Sequence, residues 1–283
     1  MYKKRSALWV AILFITTLAC SMQGLSPSSS AGPLDANSLS TIVAGTANTA
    51  AMQTAQANPS TSTPLSTSTK TATLTPIVTP SPQVSAEGTS LVKQSDGSYV
   101  FTDYQGGYSI MVPSVWLAMR INEQEFMNAQ ISPANSDPQI QNAFSVLRSN
   151  DPKTYRLVAI DTSPNDLQAG FVANFSIFWD RNNAETIAQN IADAKKALPK
   201  TSSSLKITYA DIGTTSTKIP MGIIETSTNG TTMSKQNVTS YEKQILYKLK
   251  SGTLYISMMT AVQLKDKFIP GFDLMTDQIK MLP

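Results

Sequence analysis

The stretch Tyr99–Trp116, YVFTDYQGGYSIMVPSVW, decides the fold of this chain. Tyr108, Ile110 and Val112 alternate with Ser109 and Met111, the period of two that marks a strand with one buried face. Gly106-Gly107 precedes that strand, and residues without a Cβ accept the positive φ of a tight turn. Pro113 stops the strand because its φ is fixed and it has no amide hydrogen. Tyr108 and Trp116 are expected to be structural, Tyr108 entering the core and Trp116 capping the sheet edge as the hairpin closes.

Downstream, Asp137-Pro138 reads as an N-cap with proline at the first helical position. Ile140, Phe144 and Leu147 then fall on one helical face. Arg156 to Asp161 and Phe171 to Trp179 read as strands. In the second, Phe171, Ala173, Phe175, Ile177 and Trp179 share a face, and Asn174 and Ser176 lie on the other. Ala184 to Leu198 is the clearest helix, with Asn183 as its expected N-cap and Ile187, Ile191, Ala194 and Leu198 as its buried stripe. Four strands follow, Leu205 to Ile212, Lys218 to Thr226, Ser240 to Leu249 and Thr253 to Ala261, with Lys250-Ser251-Gly252 turning the last hairpin. Phe268, Phe272, Met275 and Ile279 form a final amphipathic helix, with Pro270 near its start or at a kink. Hairpins with separate helices predict an α+β fold with a largely antiparallel sheet flanked by helices.

These features resemble the PsbP-like domains: Asp103, then Gly107-Tyr108-Ser109-Ile110, then Pro113 and Trp116, followed by the same order of elements over residues 90–283. The resemblance implies an α/β/α sandwich, shared with a nuclear-transport factor that binds the Ran GTPase and with several bacterial lipoproteins. It implies docking to other proteins more than catalysis. The metal-binding histidines of the photosynthetic members have no counterpart here, so no manganese role is carried over.

Upstream of this domain the texture changes. From Ser21 to Thr89 the chain is dominated by Ser, Thr, Ala, Pro and Asn, and Asp35, Lys70 and Glu87 are its only charges. Such composition buries too little apolar surface to offset its ordering entropy, so residues 20–89 are expected to be a disordered tether. A flexible coil of that length spans roughly 45 Å. Before it, Lys3, Lys4 and Arg5 precede an apolar run, Ala7 to Ala19, too short to span a bilayer comfortably. Residues 1–19 thus read as a signal peptide. The run ends on Thr17-Leu18-Ala19-Cys20, which resembles the bacterial lipobox, with Thr17 in place of the usual leucine. That resemblance implies acylation of Cys20 and cleavage before it, and hence a bilayer as the first partner and an extracytoplasmic location.

Composition removes several chemistries. Of 22 basic residues the signal peptide carries three, leaving 19 against 19 acidic, so the mature chain is formally neutral. A neutral chain with dispersed Lys and Arg offers no stripe for nucleic acid. There is no histidine, and the one cysteine is Cys20. Zinc sites built from His and Cys, thiol catalysis and His-assisted nucleophiles are therefore excluded. No glycine-rich phosphate loop or dinucleotide fingerprint is present, and no cofactor or metal is expected.

Three weaker patterns have bland readings. Ser90/Lys93, Ser227/Asn229 and Lys250-Ser251-Gly252-Thr253 match the order of the penicillin-recognising motifs, as does Ser240/Lys243 for the first of them. Ser90 precedes a strand, however, where that nucleophile opens a helix. Asp180 to Glu185 gathers oxygen donors at a helix start, which capping accounts for better than a cation. Asn174, Asn229 and Asn237 lie in sequons that mean little in a bacterial chain. The expected function is non-catalytic: a lipid-anchored domain that binds a protein partner or small ligand at the envelope. The alternatives are an envelope enzyme using carboxylate or Ser–Lys chemistry, and a structural or stress-related component.

Overall fold

The computed structural model describes residues 83–167, 171–231 and 237–283. The signal segment, Cys20 and the tether up to residue 82 lie outside the described residues. The chain begins with β1 (Thr89–Lys93), β2 (Tyr99–Asp103), β3 (Tyr108–Val112) and β4 (Leu117–Met119). Helices α1 (Gln124–Ile131) and α2 (Pro138–Arg148) follow, then β5 (Tyr155–Ile160), the short α3 (Pro164–Leu167) and β6 (Asn174–Asp180). Helix α4 (Ile187–Thr201) leads into β7 (Leu205–Thr214), β8 (Pro220–Thr231), β9 (Asn237–Lys248) and β10 (Thr253–Ala261). Helix α5 (Lys265–Asp277) and β11 (Lys280–Met281) end the chain.

The strands form a seven-stranded sheet in the order β4-β5-β6-β10-β9-β8-β7 and a four-stranded sheet in the order β1-β2-β3-β11. Every pairing is antiparallel. The expected α+β class, an antiparallel sheet flanked by helices, is what the structure has. One face of the large sheet packs on α1, α2 and α4, through Phe126, Phe144, Ile191 and Leu198 against Val158, Phe178, Leu246 and Tyr255. The other face is covered jointly by the small sheet and α5, through Phe101, Tyr108, Phe268 and Phe272 against Phe175, Ile177, Ile245 and Ile256. The outer layer on that side is therefore part sheet and part helix.

The opening stretch builds the joint between the two sheets. Gly107 takes φ +73°, and a Cβ on Gly106 would lie 2.6 Å from the Tyr108 ring. That turn aims the Asp103 carboxylate inward, where Oδ1 accepts from the Gly106 amide at 2.8 Å and from Arg156 Nη2 at 3.0 Å. Oδ2 accepts from Arg156 Nε at 2.7 Å. Arg156 also donates to the Glu87 carbonyl at 2.6 Å and lies over the Trp179 ring. Both members of this ion pair are fully buried and bidentate, the geometry in which an ion pair offsets its desolvation.

Several sequence expectations hold in detail. Asp137 caps α2 by accepting from the Gln139 amide at 2.8 Å. Gly252 turns the last hairpin at φ +87°, and Phe268, Phe272 and Met275 face the core from α5, with Pro270 inside that helix. Others are corrected. Helix α4 starts at Ile187, and its N-cap is Thr186, which forms a reciprocal capping box with Gln189. Asn183 instead accepts from the Glu185 amide and donates to Asn190 Oδ1 and Tyr255 Oη, at 2.6 and 2.7 Å. Phe171 precedes β6 and joins a separate cluster with Val238, Met259 and Ala261. Trp116 sits inside the core between Phe175 and Phe268, with ring centroids 5.3 and 5.1 Å away. Lys218 lies in a turn at φ 67°, so β8 begins at Pro220.

Candidate functional site

Strand register divides the helix-covered face of the large sheet into two ends. At one end the lateral row is Tyr155, Phe178, Tyr255, Leu246 and Gly222. Helix α4 approaches closely there, since a Cβ on Gly222 would lie 2.9 Å from Ile187. The next row is Val158, Ser176, Ser257, Gln244 and Ile224, and the row beyond it is Ile160, Asn174, Met259, Glu242 and Thr226. Ser240 pairs with Thr228 one step further. The three central strands thus turn from apolar to polar within a single row, on a face where α4 covers β7 and β8 and where α1 and α2 pack on the β4–β5 side.

All of these polar side chains are buried. The rim residues Thr228, Asn174 and Ser240 retain 6–8 % of their surface, whereas Gln244 retains 0 %, so the band deepens from the β8–β9 end toward the middle of the sheet. The rim is satisfied internally: Asn174 Nδ2 donates to the Val172 carbonyl at 3.0 Å, and Ser240 Oγ to the Thr228 carbonyl at 3.2 Å. Ser257 Oγ donates to Glu242 Oε1. Ser176 Oγ and both amide atoms of Gln244 have no partner. Native proteins rarely leave buried polar groups unmade, and each one calls for an explanation.

The same end of the sheet gathers carboxyl groups. Burial pushes Glu242 up to about 8 against the modest lowering by Ser257, so at neutral pH it is largely a protonated, uncharged acid. Asp161 directly follows β5. Burial and then a hydrogen bond with the neighbouring Asp166 carboxyl push it up to about 6. Asp166 accepts from Lys267 of α5. Chemically the band presents hydroxyls, the carboxamides of Asn174 and Gln244 and one protonated carboxyl, which can exchange hydrogen bonds with an uncharged polar molecule.

Elsewhere, Thr260 Oγ1 and Glu185 Oε2 are also buried without a partner. Lys243 projects to the opposite face and pairs with Asp273 at 2.8 Å and Glu225 at 3.4 Å, inside a groove of about 410 Å³ beside α5. Among the described residues no group of three or more His, Cys, Asp or Glu is placed to hold a metal ion. In the Asp180–Glu185 loop, Asp180 Oδ1 accepts from the Asn182 amide and the Asn183 carbonyl accepts from Lys248. The penicillin-type motifs are not brought together: Ser90 lies in β1 of the small sheet, and Ser227 and Lys250 belong to opposite ends of the β8–β9 pair. Of the sequon asparagines, Asn174 is buried in β6, and Asn229 accepts from Thr239 across the β8–β9 pair.

Sequence reasoning put Asn174 and Ser176 on the face opposite Phe175, which is where they are, but it did not single out Ser257, Glu242 or Gln244. The signal available was the polar alternation of Ser240, Glu242 and Gln244 in β9, which reads equally well as a solvent-facing strand.

No family model matches the chain, and no curated protein matches it. Among solved structures it is similar to the cyanobacterial PsbP (CyanoP) of Synechocystis sp. PCC 6803, at 11 % identity and a TM-score of 0.41, over 66 % of this chain and 94 % of that one. LpqN, involved in cell envelope biogenesis of Mycobacterium tuberculosis, is similar at 11 % identity and 0.38, over 69 % and 91 %. The Ran-binding protein Mog1p of Saccharomyces cerevisiae is similar at 8 % identity and 0.39, over 66 % and 97 %.

Proposed function

We propose that this chain is a lipid-anchored, extracytoplasmic binding protein whose single folded domain captures a small ligand or a protein partner at the cell envelope without catalysis. Acylated Cys20 holds it on the bilayer, and the Ser/Thr/Pro-rich tether gives the domain reach while keeping its concentration high near membrane-associated ligands. The observation that carries the binding reading is Gln244, 0 % exposed with both amide atoms unpartnered. Leaving such a group unmade costs about 1–3 kcal/mol, a penalty that a bound molecule would relieve. Two experiments test the two halves. Cys20→Ser should leave the protein unprocessed and release it from acyl labelling; unchanged processing and labelling would refute the anchor. A photo-crosslinking side chain at Thr228, on the rim, should give a specific adduct in whole cells that one at Lys250, in the distant hairpin turn, does not. Identical patterns from both sites would refute the placement.

Glu242 favours a second reading. A buried carboxyl that holds its proton up to about 8 is what a general acid requires. In an envelope enzyme, Glu242→Gln would abolish turnover of the crosslinked molecule while leaving its capture intact. In a binding protein no turnover is seen with either form.

A further inference from the structure

We infer that the polar end of the helix-covered face takes a small, uncharged molecule carrying an amide group and at least one neighbouring hydroxyl. The inference rests on the binding reading and specifies its ligand. Gln244 has a carbonyl oxygen and an NH₂ group that are both buried and both unpartnered. One carboxamide offering an acceptor and a donor side by side matches a second amide, which can return both bonds. Ser176 sits two strands away in the same lateral row, with Ser257 between them. Its free hydroxyl lies roughly 10 Å from Gln244 at strand spacing, so the molecule must reach across a sugar-sized distance.

Charge narrows the class further. Among the described residues the band holds no cation on this face. Lys243 projects to the other side into Asp273 and Glu225, Lys248 donates to the Asn183 carbonyl at the far end, and Lys267 is engaged by Asp166. An anion would therefore enter a buried site without a counter-charge, beside the Glu242 carboxyl. A cation would need Glu242 ionised, which its burial opposes. Uncharged donors and acceptors remain. Among its described residues the band is least deeply buried at Thr228, Asn174 and Ser240, which keep 6–8 % of their surface.

The test uses the full-length acylated protein in detergent micelles and four probes in isothermal titration and saturation-transfer NMR. N-acetylglucosamine carries the amide and hydroxyls, glucose lacks the amide, glucosamine replaces it with a cation, and N-acetylmuramic acid adds a carboxylate. N-acetylglucosamine should bind, and each of the other three should bind at least tenfold more weakly. Gln244→Leu should lower its affinity at least tenfold, and Ser176→Ala should lower it severalfold, keeping the test informative if the first variant fails to fold. Absence of binding, which would mean that the band holds water only, overturns the inference. So does equal or tighter binding of a charged probe, or affinity unchanged in both variants. A specific adduct from Thr228 in cells alongside no N-acetylglucosamine binding would refute the ligand class and leave the binding reading standing; loss of both would refute both.

Discussion

Two buried polar regions of this domain obey opposite rules. At the joint between the sheets, Asp103 and Arg156 are fully buried, and every nitrogen of the guanidinium meets a carboxylate or carbonyl oxygen. On the other side of the large sheet, Gln244 is buried as deeply and Ser176 nearly so, and both are left unmade. The first pattern is how a fold specifies itself, since a satisfied network disfavours alternatives in which its members lose partners. The second weakens the free fold, and the binding proposal rests on it. Burial is common to both regions, and hydrogen-bond completion is what differs between them.

The sharpest way to break the comparison is at the joint. Arg156→Ala would strand the Asp103 carboxylate in the core, and a loss of about 3–5 kcal/mol in urea unfolding is expected. A loss below about 1 kcal/mol would mean that the network is not structural. Next in size is Glu242. Its folded value of about 8 lies above the ordinary 4.5, so the folded state holds the proton more tightly than the unfolded state does. Stability should therefore fall as pH rises from about 4.5 through 8, by on the order of 4 kcal/mol in all. Glu242→Gln should flatten that dependence and be the more stable form at pH 8; a wild-type profile already flat over this window would contradict the burial of the acid.

Smaller effects sharpen the contrast within one face. Asn190 accepts from both Asn183 and Tyr255, at 2.6 and 3.0 Å, at the apolar end. Asn190→Ala should cost roughly 1–3 kcal/mol because it leaves donors unpaired. Ser176→Ala, in the polar band, should cost nothing and gain up to about 1 kcal/mol, because it deletes a group that has no partner. Equal losses in the two variants, read by thermal unfolding, would erase the distinction.

Much of the scaffold was legible in the sequence for identifiable reasons. Period-two alternation in Tyr108–Val112, the Asp137-Pro138 start and the Lys250-Ser251-Gly252 turn are local signals, and each element formed where those signals placed it. The start of α4 was misplaced because Asn183 and Thr186 are both good caps. The choice fell to Thr186 through Gln189 three residues on, while Tyr255, distant in sequence, claimed Asn183. The polar band was not legible at all. The alternation of Ser240, Glu242 and Gln244 is the same whether that face meets solvent or helices, and only the crossover that brings α4 and α2 over the sheet buries it. Asp103 was visible as part of a pattern, but its partner Arg156 lies 53 residues away and carries no local mark.

The most direct test of the central claim is the unfolding free energy of Gln244→Leu, measured without ligand beside its affinity for N-acetylglucosamine. The expected result is a free protein at least as stable as the wild type, with binding reduced at least tenfold. A variant destabilised by several kcal/mol with unchanged affinity would show that Gln244 serves the fold, and would contradict the account.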